Sequence, residues 1–132
     1  MADVTVLNSK VTALGTVTEL KLAAATETTA DKAQTFIITP DPEKQMGRCA
    51  IVIENAVAGL AFSLAPGGFW ASGVALTGTV DAFTNTLSVI VVESAKYKKA
   101  DGTMSLTLTP ASGKALSGTS SHAAKVGFLE LY

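Results

Sequence analysis

Residues Met104-Ser105-Leu106-Thr107-Leu108-Thr109 decide the fold class. Met and two Leu alternate with Ser and two Thr, and a period of two places the apolar side chains on one face of a strand and the hydroxyls on the other. The segment lies between Asp101-Gly102 and Pro110, both turn signals. A strand with one dry face needs a second layer to lie on, so the rest of the chain has to supply more sheet.

Working outward, the same alternation recurs. Phe36 and Ile38 sit in the run Thr35 to Thr39, closed by Pro40. Leu60, Phe62 and Leu64 alternate with Ala61, Ser63 and Ala65. Val74, Leu76 and Val80 alternate with Ala75, Thr77 and Thr79, with Gly78 marking the place for a bulge. Thr18, Leu20 and Leu22 alternate with Val17, Glu19 and Lys21, and Lys125 to Tyr132 reads as a further strand. Two runs, Cys49 to Glu54 and Leu87 to Val92, are apolar at successive positions, the pattern of a central strand covered on both sides. Turn signals at Asp41-Pro42, Asn55 to Gly59, Pro66-Gly67-Gly68, Asp81 to Asn85 and Pro110 to Gly118 separate them.

The expectation is an all-β chain, an antiparallel β-sandwich or jelly roll of about seven or eight short strands. Its expected core is Phe36, Ile38, Ile51, Ile53, Phe62, Leu64, Val89, Val91, Leu106, Leu108 and Phe128. Leu20 to Gln34 reads as a loop, because Thr26, Thr28 and Thr29 are weak helix formers and no apolar stripe appears. With 132 residues and 13.5 kDa there is room for one domain, assigned to residues 17–132. Residues 1–16 are left as an edge strand or an arm ordered by a partner.

Composition narrows the function. Ten basic and eleven acidic residues give a net charge of −1 without a block of either sign, whereas a nucleic-acid binder needs a concentrated basic surface. The Met-Ala-Asp-Val-Thr-Val start lacks the basic and apolar regions of a signal peptide, and no apolar stretch is long enough to span a membrane. Synthesis in a cytoplasm, without membrane or nucleic-acid partners, is the expectation. A single cysteine, Cys49, forms no internal disulfide.

Chemistry is sparse. The single histidine, His122, follows Ser120-Ser121 in a loop without a neighbouring acid. Cys49 opens an apolar strand, where a thiol behaves as a small core residue. Glu54 and Glu93 each end a doubly apolar strand, and the ordinary reading is that each marks where its strand leaves the core. The chain is therefore expected not to be an enzyme and to hold neither metal nor cofactor.

Three stretches are candidates for binding instead. In the N-terminal segment, Val4, Val6 and Val11 have strand propensity but no hairpin partner, so they are expected to add to a sheet edge on another protein. Pro66-Gly67-Gly68-Phe69-Trp70 places Phe69 and Trp70 after a flexible turn, as a plug over the sandwich end or an anchor for a partner. Lys96, Lys98 and Lys99 around Tyr97 form a third, read as a solvated hairpin or a surface for an acidic partner.

The order of Ile51-Val-Ile-Glu-Asn-Ala56, the glycine and aromatic loop at 66–70, Glu93-Ser-Ala-Lys-Tyr-Lys-Lys-Ala-Asp-Gly-Thr-Met-Ser-Leu-Thr-Leu-Thr-Pro110 and Ala124-Lys-Val-Gly-Phe-Leu-Glu-Leu-Tyr132 resembles the small capsid decoration (cement or head) proteins of tailed bacteriophages. The resemblance covers about residues 34–132. It implies a β-rich protein that binds the outer surface of an assembled icosahedral head, contacts the major capsid protein and reinforces joints between capsomers. It also implies repeated copies, sometimes trimers, and no cofactor. A tail or tail-tube component, or a carbohydrate-binding or adhesin sandwich, is the alternative expectation.

Overall fold

The computed structural model describes residues 2–43, 47–55, 59–68, 73–80, 87–117 and 123–131. Among these residues nine strands follow in order: β1 (Val4–Val6), β2 (Leu22–Ala24), β3 (Gln34–Ile38), β4 (Arg48–Glu54), β5 (Leu60–Leu64), β6 (Leu76–Val80), β7 (Leu87–Glu93), β8 (Met104–Thr109) and β9 (Lys125–Glu130), with one 3-10 turn at Ser94–Lys96. They form a five-stranded sheet in the order β1-β3-β8-β5-β6 and a four-stranded sheet in the order β2-β9-β4-β7.

The pairing is nested. β5 pairs with β6, β4 with β7, β3 with β8 and β2 with β9, all antiparallel. A long ribbon folded at its middle and rolled so that alternate pairs fall in opposite sheets gives this order, which is that of a jelly roll. The domain is thus an all-β sandwich, with β1 as an added edge strand parallel to β3.

The core lies between the sheets. From the five-stranded sheet come Phe36, Ile38, Leu60, Leu64, Met104, Leu106 and Leu108, and from the four-stranded sheet Cys49, Ile51, Ile53, Val126 and Phe128, all buried. Alternation put each on the inward face, so nine of the eleven expected core residues pack in it or, like Phe62, against it. Val89 and Val91 are the corrections: they are 58% and 62% exposed. β7 is central in neither sheet but ends the four-stranded one, and its odd-numbered residues point away from the sandwich.

Gly78 is also not a bulge. The register between β5 and β6 runs unbroken through it, and it stands opposite Phe62. A Cβ there would lie 2.8 Å from Phe62 Cε1, so glycine makes room for the ring. Thr18 to Lys21 lie outside any strand, and only Leu22–Ala24 pair with β9.

The N-terminal segment is part of the fold. After β1 the chain crosses to the other sheet, where Ser9 N–H donates to Phe128 O (2.9 Å) and Val11 N–H to Glu130 O (2.9 Å). β2 occupies one half of that edge of β9 and residues 8–11 the other. Residues 4–11 thereby strap the two sheets together along one flank.

Candidate functional site

The two sheets present different outer faces. On the five-stranded sheet the register aligns Thr35, Thr107, Ser63 and Thr77 in one row across four strands, and Thr109, Ala61 and Thr79 in the next. Thr35 Oγ1 and Thr107 Oγ1 share a hydrogen bond of 3.1 Å. This face is hydroxylated and suits water.

On the four-stranded sheet the equivalent row is Leu22, Gly127, Val52 and Val89, and beside it runs Leu129, Ala50 and Val91. Leu20 and Leu22 fold over Gly127, where a Cβ would lie 2.7 Å from Leu22 Cδ2. The half of the face towards β2 is covered in this way, and Val52 is buried. The half towards β7 is open, with Leu87, Val89 and Val91 exposed. Other exposed large apolar residues, such as Leu14, Val17 and Val74, lie apart from this strand in sequence; these three follow one another along it.

Charges stand at the ends of the apolar rows. Arg48 pairs with Glu93 (3.7 Å) at one end and Lys125 with Glu54 (3.9 Å) at the other. Both pairs are solvent-exposed and add little stability. Glu54 and Glu93 face Leu87 and Arg48 at opposite ends of the β4–β7 ladder, about 20 Å apart at the rise of an antiparallel strand. They cannot act as a carboxylate pair.

The other expected site residues fall elsewhere. Val6 is 2% exposed and belongs to the core, and Val4 packs against it. The free arm is corrected to an intramolecular strand: these valines are spent on β3 and the core, and Val11 is held through its backbone to β9. Phe69, Trp70 and His122 lie outside the described residues. Pro66 to Gly68, which lead to the aromatic pair, dock on the lysine turn: Gly67 N–H donates to Lys96 O (2.9 Å) and Gly68 N–H to Lys98 O (3.2 Å). A Cβ on Gly67 would come within 2.6 Å of Lys98 O, so this close approach requires glycine. The structure thus joins the two loop candidates at their bases. Lys98 is buried rather than solvated, which corrects the reading of the turn as a plain hairpin.

Cys49 is buried, and its Sγ donates to Val92 O (3.5 Å). Burial, with the nearby Glu130 and Glu93 carboxylates, pushes its thiol up to about 12, which makes it unreactive at neutral pH. Among the described residues no group of three His, Cys, Asp or Glu is placed to hold a metal ion.

Gln34 and Glu130 are among the buried polar residues that pattern reading missed. Gln34 uses its whole amide: Oε1 accepts from Thr26 N and Glu27 N, and Nε2 donates to Ala2 O and Thr26 Oγ1. Glu130 Oε1 accepts from Asn8 Nδ2 (2.8 Å) and Asp41 N (2.9 Å). Both tie the N-terminal segment down. The signal was strand phase, since Gln34 shares the inward phase of Phe36 and Ile38, and Glu130 that of Val126 and Phe128.

No protein-family profile, curated protein or solved structure matches the chain. The surface itself therefore carries the functional argument. Its open part consists of exposed aliphatic side chains rimmed by two exposed ion pairs.

Proposed function

We propose that this chain is a bacteriophage capsid decoration protein, which binds the outer surface of the assembled icosahedral head against the major capsid protein and stabilises contacts between capsomers. The observation that carries the reading is the contrast between the outer faces, one hydroxylated and one aliphatic. A protein that works by buried area needs a surface whose apolar side chains leave water on docking, and a second that stays wet. Repetition over a lattice multiplies a modest interface.

The jelly-roll order supports the same reading by analogy, since this architecture serves in viral capsid domains as well as in lectins. The aliphatic face favours the first, because a sugar platform is built from aromatic rings and polar groups. On this reading the protein performs no catalysis, holds no cofactor and resides on the virion head after synthesis in the host cytoplasm.

The test is to add the purified chain to heads of its phage that lack it and sediment them. Binding should saturate at a fixed number of copies per capsomer and raise the temperature at which heads rupture. It should change little with salt, because a net charge of −1 provides little long-range attraction. Failure to sediment with heads, with binding to tails or glycans instead, would overturn the reading.

A further inference from the structure

The edge of the four-stranded sheet is unusual in what it lacks. Natural edge strands are blunted by lysine, proline, bulges or brevity, because an open ladder invites pairing. β7 reads Leu-Ser-Val-Ile-Val-Val-Glu over Leu87–Glu93: seven residues with no lysine, proline or glycine. Its register with β4 continues through all seven positions without a bulge, and no described strand lies on its other side. Ile90 on its inward face is only partly buried, so apolar surface continues from Val89 and Val91 around the edge.

This edge is complementary to itself. About Ile90 the sequence reads Val-Ile-Val in both directions. An antiparallel pair of β7 strands with Ile90 opposite Ile90 sets each Val89 against the other copy's Val91, and it is the register that pairs all seven residues. The two-fold axis then stands perpendicular to the sheet, so both aliphatic faces lie on the same side; an axis along the strand would turn one of them over. Glu93, the strand's one charge, goes to opposite ends of the pair. There the joined face carries Glu54 with Lys125 from one copy and Glu93 with Arg48 from the other, so no end has an uncompensated charge.

We propose that β7 pairs with β7 of a second copy in this register, joining two four-stranded sheets into one eight-stranded sheet with a continuous aliphatic face. The interface is isologous and closes as a dimer, so it does not propagate into fibres. It stands independently of the capsid reading, and its test uses the isolated chain.

Sedimentation equilibrium from micromolar to millimolar concentration should give twice the 13.5 kDa chain mass. Val89→Lys with Val91→Lys puts lysine opposite lysine twice and should leave a monomer with unchanged circular dichroism, since both side chains are exposed. Val89→Glu with Val91→Glu should likewise be monomeric, and mixing the two variants should restore a dimer of one copy of each. If the double lysine variant misfolds, Val91→Lys alone serves, with weakened rather than abolished dimerisation expected. A wild-type chain that stays monomeric, a trimer, or a dimer indifferent to these substitutions would each overturn the proposal.

Discussion

The two sheets share a core but treat their surroundings in opposite ways. The five-stranded sheet ends on β1, whose chain crosses to β9 and fastens that flank, and its outer face carries rows of threonine and serine. The four-stranded sheet ends on β7, with no described strand beside it, and its outer face is aliphatic. Core packing does not require this difference, since both sheets contribute buried apolar side chains to the core. The outer faces are therefore set by something other than the core, and the proposed docking role accounts for the aliphatic one.

The comparison can be broken or sharpened by substitution. The largest effect is expected within β8, where inner and outer positions adjoin. Leu106→Asp places an unpaired charge in a fully buried site and should abolish cooperative unfolding, because such burial costs more than a domain of this size has in net stability. Thr107→Asp, on the hydroxylated face, should cost only about 1 kcal/mol. Urea titration monitored by circular dichroism separates the two, and a folded Leu106→Asp would reverse the assignment of the faces.

Deleting residues 2–12 comes next. It removes β1, the buried Val6 and the backbone bonds to β9, and leaves Glu130 without Asn8. A loss of about 3–5 kcal/mol is expected from the buried side chain, the lost backbone bonds and the one hydrogen bond lost to the Glu130 carboxylate together. A deletion variant as stable as the full chain would show that the fastened flank is dispensable, and the asymmetry between the flanks would lose its meaning.

The smallest effect on stability, and the most specific one on function, is expected from Val89→Thr with Val91→Thr. These replacements give the open half of the aliphatic face the chemistry of its hydroxylated counterpart. Both positions are exposed, so the unfolding midpoint should move by only about 0.5 kcal/mol. Head binding, measured by sedimentation, should fall markedly. Unimpaired binding would place the docking surface away from this half of the face.

Local alternation made much of the fold legible. Met104 to Thr109 announced β8 because a one-sided strand writes its burial into every second residue. Leu87 to Val92 was misread for a physical reason: hydropathy reports that a side chain avoids water, not what it meets. A strand buried on both faces and an edge strand with an exposed aliphatic outer face have the same pattern. β1 was illegible as an element because its partner, β3, is parallel and some thirty residues away, so no turn announces the pairing. Gly78 looked like a bulge since a missing side chain in a strand has two causes, and only the position of the Phe62 ring distinguishes them. As for binding, composition pointed away from catalysis, but the aliphatic face emerges only when β2, β9, β4 and β7 are set side by side, and no linear window contains them all.

The nested order of pairs sets a schedule for the newly made chain. β5 and β6 are neighbours in sequence and can meet as soon as both have left the ribosome, whereas β9 is synthesised last and is the strand on which β2 and residues 8–11 depend. The earliest-made segment must therefore wait, unlatched, until residue 130 has emerged. Long-range closure of this kind is slow and leaves apolar edges uncovered meanwhile. The docking face and the β7 pairing proposed above both belong to the sheet that contains β9, so on that proposal they would become available only once β9 has been made.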